Sequence, residues 1–345
     1  MRSITKWISA RYSGGMYEGK TVGVVVPAHN EAEFVGEVIT TIPEFVDRVF
    51  VIDDRSSDGT WERIQRVAER VNASPNVAKA DGGQVRARVV PHRHETNKGV
   101  GGAIKTGYEF AVQAGMDVVA VMNGDGQMDP DILDEIIEPV VTGRADYSKG
   151  NRLYSAEHYR GMSRWRFTGN AILTFMTKIA SGYWGMNDPQ NGYTAISREA
   201  LEALEIDDLY DDYGFLNDLI VKLNVHGFRI TDVEMRAVYG DEESGIEYSS
   251  FVPKLSKLLL IRFLWRLKAR YLVTDFHPLV FLYGLGPLGV VAGLASLGWA
   301  ALDGGLTVLS AQIGILVVLF SCFVTVVAMT MDMEYNESLE GHARF

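Results

Sequence analysis

Cysteine is nearly absent from this chain. Cys322 is the only one among 345 residues, so no disulfide can close within it. An excess of positive charge is absent as well. Lys and Arg number 33 against 44 Asp and Glu, and the formal net charge of −11 argues against nucleic acid as a partner. Residues 1–20 lack the apolar core of a secretory signal. No segment repeats, and no tract is of low complexity. The surplus carboxylates cluster, as in Asp207, Asp208, Asp211 and Asp212, or Asp241, Glu242 and Glu243. Such runs are expected to be solvated surface.

Formal charge disappears in two long runs near the end. His277–Leu302 and Leu306–Met331 each hold 26 residues without Lys, Arg, Asp or Glu. A bilayer core needs roughly 20 apolar residues in a helix, so both runs are long enough to cross. Only Asp303-Gly304-Gly305 separates them, which predicts a tight helical hairpin. Gly289 and Gly293 form a small-xxx-small pair suited to close helix contact. Lys254, Lys257, Arg262, Arg266, Lys268 and Arg270 precede the first run, and the hairpin loop has no cation. The positive-inside tendency then puts the large N-terminal part and the tail in the cytoplasm, in a multi-pass protein of the cell membrane. Phe251–Val273 alternates these cations with Leu258, Leu259, Leu260, Phe263, Leu264 and Trp265, which predicts a helix lying along the lipid surface.

The first half alternates strand and helix signals. Strands are expected at Thr21–Val26, Arg48–Asp53, Arg86–Val90, Asp117–Met122 and Asp146–Gly150. Helices are expected at Ala32–Ile42, Gly59–Val71, Val100–Ala114 and Asp129–Val141. This order implies an α/β fold with a mostly parallel sheet, whose ligands bind beyond the carboxyl ends of the strands. The second half is less regular, with helices at Met162–Gly182 and Phe215–His226 and strands at Tyr193–Ser197 and Phe228–Met235.

Four polar or glycine-rich loops follow the expected strands. Pro27-Ala28-His29-Asn30-Glu31 ends the first, with Pro27 stopping the ladder. Asp53 and Asp54 end the second, placed to accept a ribose hydroxyl, while Asp58 turns the chain and caps a helix. Asn97-Lys98-Gly99-Val100-Gly101-Gly102-Ala103 opens a helix with glycines that let backbone approach a ligand. It lacks the Gly-Lys-Ser or Gly-Lys-Thr of a Walker loop. The fourth loop, Asn123-Gly124-Asp125-Gly126-Gln127-Met128-Asp129-Pro130, gathers hard oxygens on a flexible turn. Asp125 and Gln127 suit Mg²⁺ or Mn²⁺, which would neutralise the diphosphate of a nucleotide-linked substrate. Arg152 and Arg164 are cations near the same rim, suited to phosphate oxygens or to surface carboxylates.

The stretches VVVPAHNE, VIDDRSSDGT, NKGVGGA, NGDGQMDP, GNR and DPQNGYTAISREALE, in this order and spacing, resemble glycosyltransferase family 2, and within it the polyprenyl-phosphate (dolichyl-phosphate) branch. The likeness runs from about Thr21 to Arg236, and the terminal hairpin agrees with it. It implies a GT-A nucleotide-binding domain over 21–248, after an N-terminal segment 1–20. Juxtamembrane amphipathic helices over 249–276, two membrane helices over 277–331 and a cytoplasmic tail over 332–345 would follow. The resemblance assigns Pro27, His29, Glu31, Asp53 and Asp54 to the nucleotide, with Lys98, Asn123 and Gly124 beside them. Asp125 and Gln127 would hold the metal, and Arg152, Arg164 and Thr168 would face the acceptor phosphate. Asp218 resembles the position where relatives with hydroxyl acceptors hold a base. Two positions depart from the pattern. Asn123 stands where the family usually has Asp, and Tyr239–Ser244 lacks an Arg of the mannose synthases, leaving Lys254 or Lys257 as its substitute.

The implied reaction moves one hexose from a UDP- or GDP-linked sugar to a polyprenyl or dolichyl phosphate, with inversion. It would supply lipid-linked sugars for glycan assembly such as protein N-glycosylation. Partners would be the nucleotide sugar, the lipid phosphate and membrane lipid, and a homo-oligomer stays open. A processive polysaccharide synthase shares the fold, but it needs more spanning helices and a Gln-x-x-Arg-Trp motif, neither of which is present. A non-catalytic sugar-nucleotide-binding subunit is the other alternative, prompted by Asn123.

Overall fold

The structure is a computed structural model, and it describes residues 12–13, 16–74, 87–152, 164–235, 248–302 and 307–341. A two-residue hairpin, Tyr12–Ser13 with Met16–Tyr17, precedes a seven-stranded sheet. Its strands are β1 (Val22–Ala28), β2 (Arg48–Asp53), β3 (Val89–Arg93), β4 (Val118–Val121), β5 (Tyr147–Asn151), β6 (Thr194–Ser197) and β7 (Ile230–Glu234). They lie in the order β3-β2-β1-β4-β6-β5-β7. Only β6 is antiparallel to its neighbours β4 and β5. The helices are α1 (Val35–Thr41), α2 (Thr60–Asn72), α3 (Gly99–Ala114), α4 (Leu133–Val141), α5 (Arg164–Ser181), α6 (Arg198–Ala203), α7 (Phe215–Val225), α8 (Tyr248–Lys268), α9 (Leu279–Leu302) and α10 (Val308–Asn336).

The middle strands are buried on both faces, which is why β1, β2 and β4 read as continuous apolar runs. One face packs Val24, Val26, Val49 and Val51 against Ile39, Ile64 and Ile137. The other packs Val25, Phe50 and Ile52 against Ile104, Tyr108 and Leu219. Two expectations need correction. Strand β1 runs through Pro27 to Ala28, pairing with Ile52 and Asp53, instead of stopping at Pro27. On the β4 side its ladder ends at Val25, so the missing Pro27 N–H removes no bond there, and Pro27 O accepts from Gly124 N at 3.0 Å. Strand β3 lies at Val89–Arg93, not Arg86–Val90 (Arg86 is outside the described residues). Being the sheet edge, it accommodates Pro91.

Helix α8 is not simply a surface helix. Leu255 and Leu259 are buried against Ala180 of α5 and Val221 of α7, while Val252, Leu260, Ile261 and Leu264 are exposed on the other side. Nor are all its cations free for lipid headgroups. Arg262 pairs with Asp218, Arg266 with Asp332, and Arg270, in the π-helical turn Ala269–Thr274, donates to Asn224 O. Lys254, Lys257 and Lys268 remain exposed.

Helices α9 and α10 are both long and apolar enough to cross a membrane. They pack antiparallel, and the expected glycine contact is present. A Cβ at Gly293 would lie 2.7 Å from Val318, and one at Gly289 would collide with Ser321. Their outer faces, including Leu285, Leu288, Leu316 and Phe320, are each more than 60% exposed. The turn Asp303-Gly304-Gly305 lies outside the described residues.

Candidate active site

The parallel strands β1, β2 and β4 all end on one rim. Beyond the buried β1, His29 and Asn30 emerge into solvent. Asn30 has φ +59°, and its side chain accepts from Ser57 N at 2.9 Å, while its own N–H donates to Ser56 Oγ at 2.9 Å. This stitches the β1 loop to the β2 loop. His29 Nδ1 lies 2.9 Å from Asp54 O, and the Asn97 amide lies 3.4 Å from the same ring, so three loops meet at His29. Glu31 is half-buried at the edge of this cluster, its N–H donating to Thr60 Oγ1 at 2.8 Å. Asp58 plays the structural part expected of it. Desolvation is the largest single influence and raises its carboxyl, but the hydrogen bonds from Thr60 and Ala32 together hold it below the ordinary value.

Asp53 and Asp54 do not face solvent. Asp53 is fully buried, pairs with Arg93 Nε at 2.9 Å and accepts from Ser56 N at 3.3 Å. Asp54 Oδ1 lies 2.7 Å from His94 Nδ1 and accepts from Lys98 N at 2.8 Å. The two carboxylates hold the loops after β2 and β3 in place. The groups exposed on that rim include His29, Asn30, Arg55, Ser57, Asn97 and Lys98. Arg55, with φ +62°, is a second non-glycine residue in the left-handed region here. Neither Arg55 nor Asn97 was anticipated as a site residue, because each carries a backbone or loop role that periodicity does not reveal.

The glycines that open α3 meet chain, not open space. A Cβ on Gly101 would lie 2.5 Å from Tyr210 O, and one on Gly99 2.7 Å from Asp211 O. Gly102 N donates to Asp211 O at 3.0 Å, and Lys105 Nζ reaches Leu209 O at 2.9 Å and Asp211 Oδ1 at 2.7 Å. The acidic segment Asp207–Asp212, expected as plain surface, is therefore fastened over the start of α3. Elsewhere, Gly14 to Thr21 has the spacing of a Walker loop, but Gly19-Lys20-Thr21 runs into β1 instead of joining a strand to a helix, so it lacks that context.

After β4 the chain turns through Asn123–Asp129. Gly124 is buried against Ala28, and Gly126 has φ +73°. Asp125 Oδ1 accepts from Gln127 N at 3.0 Å, and Asp129 Oδ1 caps the turn at Asp131 N, 2.9 Å. Asp125 is half-exposed and Gln127 exposed. Because β6 is antiparallel, the residues that enter it arrive at this same rim. Thr194 pairs with both Val121 and Lys149. Gly192 lies beside the Asn123 side chain, and Tyr193 Oη donates to Asp129 O at 3.0 Å.

Arg152, at the end of β5, is gripped by Asp188. Its Nε and Nη2 lie 2.8 and 2.9 Å from the two carboxylate oxygens, and its own N–H donates to Oδ2 at 3.1 Å. Burial would raise the Asp188 carboxyl, but the Arg152 hydrogen bonds and charge, with Lys149, hold it below the ordinary range. Asp188 has φ +47° and is a further site residue that local spacing does not reveal, although it opens the DPQNGY stretch. Arg164 and Thr168 stand in the first turn of α5, and their side chains lie outside the described residues.

Asp218 is placed differently from expectation. It is fully buried, 2.6 Å from Arg262 Nε, and accepts from Tyr210 N at 2.9 Å. Burial raises its carboxyl above the ordinary value against the opposing Arg262 charge. In this structure it ties α7 to α8 and to the Tyr210 loop. Lys254 lines a small cavity with Tyr210, Asp212, Tyr213 and Leu258, and Lys257 is exposed. Tyr239–Ser244 lies outside the described residues.

Among the described residues no three His, Cys, Asp or Glu side chains converge as a metal cage. The rim loop instead offers the carboxylate of Asp125 and the amide oxygens of Asn123 and Gln127, while the Asp129 carboxylate caps the turn. This all-oxygen set fits a hard divalent ion, provided that a phosphate-bearing ligand supplies the remaining negative charge.

Residues 23–205, over half of the chain, match the family described as glycosyl transferase family 2. The chain is 27% identical over 221 residues to a UDP-N-acetylglucosamine–dolichyl-phosphate N-acetylglucosaminyltransferase of Methanococcus voltae, covering 64% of this chain and 86% of that protein. It is 29% identical over 222 residues to an undecaprenyl-phosphate mannosyltransferase of Micrococcus luteus, covering 62% and 82%. The crystal structure of Mycobacterium tuberculosis glucosyl-3-phosphoglycerate synthase with Mn²⁺ and UDP-glucose matches at TM-score 0.52 and 21% identity, over 76% of this chain and 83% of that one. That likeness speaks to the shared GT-A type of fold. With its mostly parallel sheet and loop-built rim, the chain belongs to glycosyl transferase family 2 and is a glycosyltransferase.

Proposed function

We propose that this glycosyltransferase moves one hexose from a UDP- or GDP-linked sugar to a polyprenyl or dolichyl phosphate at a membrane surface. The observation that carries the reading is the attachment of two outward-apolar helices to the catalytic sheet through the buried Arg266–Asp332 pair. Exposed apolar area of this extent marks a surface for lipid or for a partner. The names of the relatives from Methanococcus and Micrococcus, both lipid-phosphate sugar transferases, support the same acceptor class. The Tyr210–Gly214 loop touches α3 at the rim and Leu258 of α8, which links the site to the helix with the exposed apolar face.

In this reading His29, Asn97 and Lys98 contact the nucleotide, Asp53 and Asp54 hold the loops that present them, and Arg152 faces the acceptor phosphate. Asp125 and the amide oxygens of Gln127 and Asn123 would hold Mg²⁺ or Mn²⁺, which when bound would offset the negative charge of the diphosphate leaving group. A phosphomonoester has its second pKa near about 6, so its oxygen is already ionised at neutral pH and attacks the anomeric carbon with no need for a protein base. Burial of Asp218 agrees with that economy. The rim faces the cytoplasm, and the product feeds glycan assembly such as protein N-glycosylation. The test incubates full-length protein in lipid vesicles with radiolabelled UDP- and GDP-sugars, a short polyprenyl phosphate and Mg²⁺ or Mn²⁺. Label is expected in the lipid phase with one donor. Label that stays water-soluble with every donor rejects the acceptor class.

A further inference from the structure

The chain does not end its structural role at the second apolar helix. After α10 a 3₁₀ turn, Glu337–Leu339, brings Glu340 and Gly341 back to the sheet edge. Glu340 bridges to Ile230 in β7, Gly341 N donates to Ile230 O at 2.7 Å, and Thr231 Oγ1 donates to Gly341 O at 2.9 Å. The Glu340 carboxylate accepts from Gly185 N with both oxygens, at 2.9 and 2.8 Å. A Cβ at Gly185 would displace the Glu340 carboxylate from this position. One residue earlier, Trp184 Nε1 points at Asp332 Oδ2 from 3.4 Å.

From Gly185 the same segment continues into the site. Asn187 N donates to Asp232 Oδ2 at 2.8 Å, and Lys178 Nζ donates to Asn187 Oδ1 at 3.1 Å. Asp188 then grips Arg152, and Gly192 sits against Asn123. Asp188 holds left-handed backbone, which persists only where its surroundings fix it. The restraints on the segment come from β5 and β7, from Lys178 of α5 and Asn217 of α7, and from the end of α10 with the strap that follows it.

From these contacts we infer that the strap Glu337–Gly341 positions the active-site segment 184–191, and that Glu340 is a positioning residue for the acceptor end of the site, acting through Asp188 and Arg152. The acceptor role of Arg152 rests on the function proposed above. The carboxylate sets the height of the segment, Asp188 follows it, and Arg152 is aimed by Asp188.

The experiment compares full-length wild type, Glu340→Ala, Glu340→Gln and the control Glu334→Gln, at an exposed position outside the strap, in lipid vesicles. Transfer is measured with donor and acceptor varied separately, and amide hydrogen exchange is followed over residues 184–191. Glu340→Ala is expected to raise the acceptor KM about tenfold, the scale of one lost charge-assisted hydrogen bond, with donor KM and thermal midpoint unchanged. Exchange over 184–191 should quicken, Glu340→Gln should recover part of both effects, and Glu334→Gln should match wild type. An unchanged acceptor KM with unchanged exchange overturns the inference. So does a joint rise of both KM values with a lowered thermal midpoint, which marks a purely structural role. If wild type transfers to no lipid phosphate, the proposed acceptor falls, and the exchange comparison still decides whether the strap holds the segment.

Discussion

Arg266 and Asp332 form an ion pair at 2.8 Å in which neither side chain reaches solvent. Arg266 also donates to Ala180 O at 2.9 Å and Ile179 O at 3.0 Å, and Tyr271, Tyr283 and Asn336 surround the carboxylate. One residue sits on α8, the other near the end of α10, and the carbonyls belong to α5. The pair thus joins the apolar helices to the catalytic sheet. Removing one partner leaves the other charge buried alone, so Asp332→Ala is expected to destabilise by about 3–5 kcal/mol. Thermal unfolding in detergent checks this, and limited proteolysis should cut between α8 and α9 sooner in the variant.

Arg262 and Asp218 make a second, less enclosed pair on the same helix. Arg262 keeps partial contact with water and Asp218 keeps none. The two single substitutions should therefore differ. Arg262→Ala strands a buried carboxylate and should cost about 3 kcal/mol, whereas Asp218→Asn leaves a cation that water can reach and should cost less. Equal losses in thermal stability contradict this assignment of burial.

The Asp188–Arg152 pair predicts a pH dependence. The Asp188 carboxyl is held below the ordinary value of 3.8, so its stabilising contribution is complete above that value and is lost as pH falls through the lowered one. The stability difference between wild type and Asp188→Asn should be flat from neutral pH down to the ordinary carboxylate range and should shrink below it. Thermal midpoints recorded across acid pH measure this, and a difference that grows on acidification has the wrong sign.

Gly101 tests the fastening of the acidic loop. With a side chain at this position, Tyr210 O and Asp211 O must move. Gly101→Val is expected to cost about 1–3 kcal/mol, the range for overpacking a close contact. It should also speed amide exchange at Gly102, which donates to Asp211 O. If exchange there is unaffected, the glycines serve some other approach.

Much of the α/β frame could be read before any coordinates. The apolar runs of β1, β2 and β4 are long, buried on both faces and bounded by polar turns. The strand signal in Arg86–Val90 points too early because three of the five residues of β3, Pro91-His92-Arg93, carry no strand signal, and only an edge strand tolerates the proline. The rim loops were found, but not their internal partners. Asp53 and Asp54 look like ligand groups until Arg93 and His94 arrive from a strand about forty residues away. Arg262 and Arg266 look like lipid-facing cations for the same reason, since their partners Asp218 and Asp332 are distant in sequence. Period and local spacing carry faces and turns, whereas which charge meets which is settled only by tertiary packing.

The central claim is one-step transfer to a lipid phosphate, and the anomeric configuration of the product tests it most directly. Full-length protein in vesicles is given an α-linked nucleotide sugar and a short polyprenyl phosphate, and the extracted glycosyl phosphate is analysed by nuclear magnetic resonance. A β-linked lipid product, made by wild type and abolished in a folded Asp125→Ala variant, is the predicted result. An α-linked product, or none with any donor, contradicts the account.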